Sequence, residues 1–493
     1  MSISTNFMFK DYNHLGFFNP YYHKEKFDKI ITFRNFNEAA THSRNELEID
    51  FVAIAEILSK NYMLGDRTII KGIKRTPWFA KPDNENAEWE FFKPIQHEEQ
   101  VIDETIITDK LFEILCKEIS SYVTGKKKIG VLLSGGMDSR MVAGALDYLI
   151  KTKKIEVESV TGYTWGISDS RDVIYASEIA SRLKWKWKHY IVTTDDLWEN
   201  IKIAGYRGCE YSGIHLHAIP QIANDLDVDV LLAGSFGDSI GRAEYSGIHV
   251  ENLQPIHKNY INFAWLLNNK TFKQSKIGVL NDLNFYHQIF NEEKKYQQYE
   301  LDYQLHYMRR MLNPCLELLN ERVPTFQAFT NPEIYQYMWS IHPAKRNNSI
   351  YKMLMEKFYT KLDDIPWART GLVYDKTEGI PDNFLKSHHN YPNQIQIDLI
   401  LKIKEILLTK LNLFPDIFNK NSIKKLLILI EENKGCNFDY LERITWLVSF
   451  IFLMEQYHIK ITNTNDSSIL DKLNSKIKLP VYYRLKHVYR KKI

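Results

Sequence analysis

The residues best placed by type and spacing to do chemistry form one run, Val131-Leu-Leu-Ser-Gly-Gly-Met-Asp-Ser-Arg140. An apolar strand pattern ends at Ser134, two glycines follow, and an apolar-faced helical pattern resumes at Met141. Residues without a Cβ let the chain turn so sharply that several N–H groups converge at a helix N-terminus. Aligned peptide dipoles there attract phosphate or pyrophosphate. The GxxxxGK spacing of a Walker loop is absent and no lysine follows the glycines, which points away from γ-phosphoryl transfer.

The elements that must carry this loop are readable from hydrophobic period. Ile129–Leu133 reads as a strand and Met141–Ile150 as a helix. The alternation continues with Ile155–Trp165 (strand), Asp172–Leu183 (helix), Lys188–Thr194 (strand), Leu197–Ala204 and Leu216–Ala223 (helices) and Val228–Gly234 (strand). Strands separated by helices imply parallel pairing through right-handed crossovers, hence an open α/β sheet with ligands at its carboxyl edge. An amphipathic helix over Thr108–Ile119 leads into this unit. Before it lies an aromatic-rich segment with turn signals at Gly65, Gly72 and Pro77, read as a small strand-rich domain; beyond residue 250 the pattern is almost wholly helical. The expected organisation is three units: 1–105, 106–380 and a helical extension, 381–493.

Composition narrows the class. The 493 residues are 44% hydrophobic and 25% charged, the balance of an ordinary folded protein. Lys+Arg 64 against Asp+Glu 61 leaves +3, too little for a global field that gathers nucleic acid, so no nucleic-acid partner is expected. Cys116, Cys209, Cys315 and Cys436 lie far apart without a CxxC pair, which argues against zinc or a disulfide framework and fits a reducing, cytoplasmic setting. The opening residues lack the pattern of a secretory signal. The densest apolar run, Ile444–Met454, falls short of a membrane span and reads as a buried helix. Near the end, Tyr482, Tyr483, Leu485, Val488 and Tyr489 alternate with Arg484, Lys486, Arg490, Lys491 and Lys492, an amphipathic basic pattern able to lie on an anionic membrane.

Ser134-Gly-Gly-Met-Asp-Ser139 resembles the SGGxDS signature of the ATP pyrophosphatase (PP-loop) superfamily, in its asparagine synthetase-like branch. The resemblance implies an ATP- and Mg²⁺-dependent ligase that activates a carboxylate as acyl-AMP, releases pyrophosphate, and joins the acyl group to ammonia or a substrate amine. It implies a nucleotide site built from Leu133, Ser134, Gly135, Gly136, Asp138, Ser139, Gly162 and Gly234, with Mg²⁺ on Asp138 and Asp238. Ser168-Asp-Ser-Arg-Asp172 is similar to the family's second phosphate-side helix, and Val160-Thr-Gly162 would line the adenine. Val323–Phe326, Thr330-Asn331 and Ile365–Gly371 also look like this family, and Arg346, Lys352 and Arg369 would stabilise charge on the α-phosphate and the oxyanion. The carboxylate would be a small molecule or a peptide.

Three departures qualify the resemblance. A glutamine-dependent relative begins with a catalytic cysteine, whereas this sequence begins Met1-Ser2 and has no cysteine before Cys116. Residues 50–94 resemble only the closing half of a glutaminase domain, so a shortened relic that does not hydrolyse glutamine is expected. Ser235 stands where the family places a glutamate or tyrosine base. The hexapeptide Glu-Tyr-Ser-Gly-Ile-His, present at 210–215 and 244–249, offers Glu210, Tyr211, Glu244 and Tyr245 as substitutes. Arg369 stands where relatives often carry lysine, which keeps the charge but changes its shape. Rival readings are a non-catalytic scaffold, an enzyme modifying a cell-surface sugar or a peptide natural product, and, least favoured, a tRNA sulfur-transfer enzyme.

Overall fold

The computed structural model describes residues 21–24, 30–43, 47–83, 88–92, 97–374, 376, 378–432, 437–459 and 468–490, side chains of 487–490 excepted. Met1-Ser2, Cys436, Lys491 and Lys492 and the side chains of Val488, Tyr489 and Arg490 lie outside them.

In the amino-terminal part, strands β1 (Tyr21–Lys24), β2 (Ile30–Phe33) and β3 (Ile73–Arg75) form an antiparallel sheet in the order β2-β1-β3, and β4 (Ala80–Asp83) and β5 (Glu88–Phe91) form a hairpin. The strands bear out the small strand-rich unit, and two helices, Phe36–His42 and Phe51–Lys60, separate β2 from β3. Val52 to Ser59 are all buried. A helix covered all round has no polar face, and so no 3.6-residue period, to betray it.

The central sheet contains β6 (Lys128–Leu132), β7 (Ser159–Trp165), β8 (Lys186–Tyr190) and β9 (Val230–Ala233). A small hairpin follows, β10 (Glu244–Tyr245) and β11 (Ile248–His249), and β12 (Thr325–Gln327) joins the sheet last. The order is β12-β9-β6-β7-β8, all parallel, as the alternation of strand and helix predicts. The expectation of an almost wholly helical chain past residue 250 misses β12, whose three residues are too few to show a period.

Both faces of the sheet are buried at its central strands β6 and β9, which is why these read as continuous apolar runs. Val230 and Leu232 join one core with Ile129, Val131, Met141 and Val142, whereas Leu231 and Ala233 join the other. That second core also takes in Tyr21, Ile54 and Ile57 from the amino-terminal part and Leu441, Ile444 and Leu447 from the carboxyl-terminal helices. The first and last thirds of the chain thus share one apolar interior. Ile444–Met454 lies in the helix Phe438–Tyr457, deep in this core. Among the described residues no helix is long and apolar enough to cross a membrane.

A buried charge cluster locks the amino-terminal strands to the body. Glu210, fully buried, accepts hydrogen bonds from the Tyr21 hydroxyl at 2.7 Å, Arg75 Nε at 3.1 Å and Arg310 Nη2 at 2.9 Å. Arg75 also pairs with Glu317. Burial pushes the Glu210 carboxyl up, but the Arg75 and Arg310 guanidinium groups outweigh it and hold the group below its ordinary range. Removing one partner strands the others in low dielectric. Glu210→Ala is therefore expected to lower the unfolding free energy by about 3–5 kcal/mol. Removing the exposed Glu48 of the Lys71 pair should change it by no more than about 1 kcal/mol, with urea unfolding followed by tryptophan fluorescence as the check.

Candidate active site

The chain runs β6, β7, β8 outward on one side and returns to β9 on the other side of β6. In an open parallel sheet such a reversal leaves a crevice at the carboxyl ends of the two strands where it occurs. The loops that follow β6 and β9 carry Asp138 and Asp238, so sheet topology alone places the two carboxylates on the same opening.

The first loop is shaped by its own hydroxyls. Ser134 Oγ lies 3.0 Å from Ser139 Oγ and accepts from Gly136 N–H at 3.1 Å, and Ser139 Oγ accepts from Ser134 N–H at 3.2 Å. Gly136 is the N-cap of the helix Met137–Lys151, and no side chain caps it. The first-turn N–H groups of this helix thus have neither an intrahelical acceptor nor a side-chain cap. Gly135 N–H donates to the Asp172 carbonyl at 3.0 Å, tying the loop to the helix Arg171–Leu183, which also starts without a side-chain cap.

Below the loop, Arg140 is a clamp that no local sequence pattern marks. Fully buried, it donates to the carbonyls of Leu362, Ile365 and Pro366 at 3.2, 2.7 and 2.8 Å, and to that of Gly135 at 3.4 Å. Ala368 N–H returns to the Gly135 carbonyl at 3.2 Å. The segment that carries Arg369 is thus held against the glycine loop.

Two glycines of the second loop are required by close approach. A Cβ on Gly234 would sit 2.5 Å from the Asp138 carbonyl carbon, and one on Gly237 would sit 2.9 Å from Asp138 Oδ1. Buried Asp138 Oδ1 has no hydrogen-bond partner, although Arg242 Nη2 lies 3.7 Å away. Burial raises the Asp138 carboxyl above its ordinary range against the opposing charges of Arg242 and Arg369. Burial, together with the charge of Asp138, pushes Asp238 up to about 7. Two half-buried carboxylates that resist joint ionisation, one with an unsatisfied oxygen, are a donor set suited to a hard divalent cation. Among the described residues no group of three ligating side chains gathers. A Mg²⁺ held here would have two protein carboxylates, with phosphate and water completing its shell.

Around the carboxylates stand Arg242, Trp367 and Tyr351, to which the sequence motifs gave no role, together with Glu244 and Arg369, to which they did. Arg242 donates to Glu244 at 2.7 Å, and Arg369 also pairs with Glu244. The Arg369 guanidinium lies over the Trp367 ring at 4.6 Å, and the Arg242 guanidinium faces the same ring at 5.5 Å. Tyr351 donates to the Gly237 carbonyl at 2.7 Å. The repeated hexapeptide therefore has two fates. Its first copy is structural, with Glu210 in the buried cluster, Tyr211 in the core and His215 paired with Glu442 at 2.9 Å. Its second copy brings Glu244 to the crevice on the β10–β11 hairpin, with buried Tyr245 accepting from Gln304 at 2.6 Å.

Of the residues expected from sequence, the structure gathers Ser134, Gly135, Gly136, Asp138, Ser139, Gly234, Asp238 and Arg369. Leu133 is buried beneath the loop, and Gly162 lies inside β7, opposite Val131, with the Leu133 side chain packed over it. Arg346 is not brought to the crevice. Buried, it donates to both carboxylate oxygens of Glu300, at 2.7 and 2.9 Å, while His97 lies 2.8 Å from the same carboxylate. Lys352 is exposed on the helix Asn348–Glu356, whereas its neighbour Tyr351 is the residue that faces inward.

An open α/β sheet with a glycine loop and two aspartates at its topological switch is the architecture of a PP-loop type fold. Residues 113–283 match the asparagine synthase family model. A segment of 137 residues is 27% identical to a protein of Methanocaldococcus jannaschii provisionally named asparagine synthetase (glutamine-hydrolyzing) 1, covering 26% of this chain and 24% of that one. The chain thus spans about a quarter of the length of the curated relative it matches. The segment 113–283 is thus similar to an asparagine synthase domain.

Two outcomes follow. Gly234→Ala should weaken ATP binding at least about 10-fold in calorimetry, because its Cβ displaces the backbone of the phosphate loop. Burial alone would raise Glu300, but Arg346 and His97 hold it down to about 2, against an ordinary 4.5. A depressed carboxyl stabilises the fold above its unfolded value and loses that contribution as pH falls toward the folded value. Glu300→Gln should therefore lose about 3 kcal/mol at neutral pH, together with the part of the acid-unfolding slope between pH 4.5 and about 2, read by denaturant titration at each pH.

Proposed function

We propose that the protein is an AMP-forming amide ligase: it activates a carboxylate as an acyl adenylate, releases pyrophosphate, and passes the acyl group to ammonia or a substrate amine. The observation that carries this reading is the meeting of Asp138 and Asp238 beside an uncapped helix N-terminus that lacks a Walker lysine. A bound Mg²⁺ would neutralise charge on the departing pyrophosphate. Ser134 to Ser139 would hold the β and γ phosphates with loop N–H groups and hydroxyls. Arg369 and Arg242, steadied by Trp367, would face charge that builds on the α-phosphate and on the acyl oxygen.

With Ser235 in the usual base position, Glu244 is the carboxylate we assign to take the proton from the attacking amine. It reaches the crevice from its own hairpin and is kept from both acids by the two arginines. Ammonia or a substrate amine as nitrogen donor is supported by the setting of the described cysteines. The described cysteines, Cys116, Cys209 and Cys315, are all buried, and burial raises the Cys116 thiol to about 12.

The test is product analysis with ATP, Mg²⁺, ammonium and panels of amino acids, uronic acids and peptides. AMP with pyrophosphate is expected, and ADP with phosphate would overturn the reading, as would failure to bind ATP and Mg²⁺, which would favour a scaffold. Asp238→Asn should abolish turnover. Glu244→Gln should keep pyrophosphate release but slow amide formation by about 10²–10⁴.

A further inference from the structure

The helical rod that begins at Ile469 faces the wrong way for a helix bathed in water. It comprises helix Ile469–Leu473, a π-helical turn Asn474–Lys478 and helix Leu479–Arg490. Its polar residues Asp471, Asn474 and Ser475 point inward beside Leu479 and Tyr483. Asp471 Oδ1 accepts from Asn269 N–H and Nδ2 at 2.9 Å each, and the Asp471 carbonyl accepts from Asn419 Nδ2 at 3.1 Å. The aliphatic side chains point outward: Ile469 is 86% exposed, and Leu470, Leu473, Ile477, Val481 and Leu485 are 42% to 56% exposed.

These side chains form a line. Steps of four residues over-rotate by about 40° each in an α-helix, and the looser winding of the central π turn brings Ile477 and Val481 back into register. Exposed Lys472, Lys476, Lys478 and Arg484 flank the line, and the only acid between 468 and 486 is the buried Asp471. The rod is fixed to the body by Tyr483 in the core, Tyr482 against Trp265 and Lys486 with Asp439 at 3.2 Å.

We infer that this face docks on an anionic lipid membrane. An aliphatic ridge about 25 Å long, bordered by cations, matches the boundary between headgroups and acyl chains, into which amphipathic helices sink by about 5–10 Å. A convex ridge supplies no pocket for the side chains of an acidic peptide, which is why lipid is favoured over protein. The face differs from the carboxyl-terminal pattern read from sequence: Tyr483 of that pattern is turned into the core, and the exposed line starts upstream at Ile469. The inference does not depend on the ligase reading.

Co-sedimentation of the full chain with vesicles of phosphatidylcholine, with or without phosphatidylglycerol, tests it. Binding is expected only with the anionic lipid, lost in Ile477→Asp, and weakened about 30-fold when Lys476 and Lys478 are both changed to Gln. Both variants should keep the wild-type melting curve, since the altered side chains face solvent. Three results would overturn the proposal: equal binding to neutral vesicles or none to anionic ones; a lipid-free dimer that Ile477→Asp dissociates, which would give the face to a second copy; or equally tight binding of soluble poly-glutamate, which would assign it to an acidic polypeptide.

Discussion

The structure turns on the enforced closeness of two carboxylates. Asp138 and Asp238 belong to loops that follow neighbouring strands on either side of the sheet's reversal, and Gly234 and Gly237 remove the Cβ atoms that would hold the loops apart. Left to themselves, two such groups repel, and each is pushed toward its neutral form by burial. A site that stores this conflict is organised for a charge it does not itself contain. Arg242 and Arg369 offset part of the repulsion, and Glu244 fixes both cations by binding them.

Holding that arrangement requires the rest of the fold. Arg140 fastens the 362–366 segment to the underside of the glycine loop through carbonyl groups alone, so the position of Arg369 is set from inside the protein rather than by a flexible loop. Farther out, Glu210 with its two arginines and Tyr21 couples the amino-terminal strands to the region behind β9, and the shared core carries that coupling to the last helices. The amino-terminal part is thereby a structural support of the sheet, whatever else it does.

The parts legible in the sequence are those set by local rules. Strand–helix alternation predicted β6 to β9, and the Ser134–Ser139 motif predicted the tight turn from strand to helix, because period and glycine chemistry act over a few residues. Arg346 went astray for the opposite reason: a basic residue looks the same in sequence whether or not a distant carboxylate claims it, as Glu300 claims Arg346. Tyr351, one position before Lys352, faces inward because of how its helix sits. Glu244 was visible only as half of a repeated hexapeptide, and nothing local distinguishes it from Glu210.

The central claim is that the crevice between β6 and β9 is a nucleotide and divalent-cation site. It is tested most directly by anomalous diffraction from crystals grown with Mn²⁺ and α,β-methylene ATP. The account predicts an anomalous peak bound by Asp138 and Asp238, with the β and γ phosphates on the Ser134–Ser139 loop. A nucleotide seated elsewhere, or a metal peak that survives Asp138→Asn together with Asp238→Asn, would contradict it.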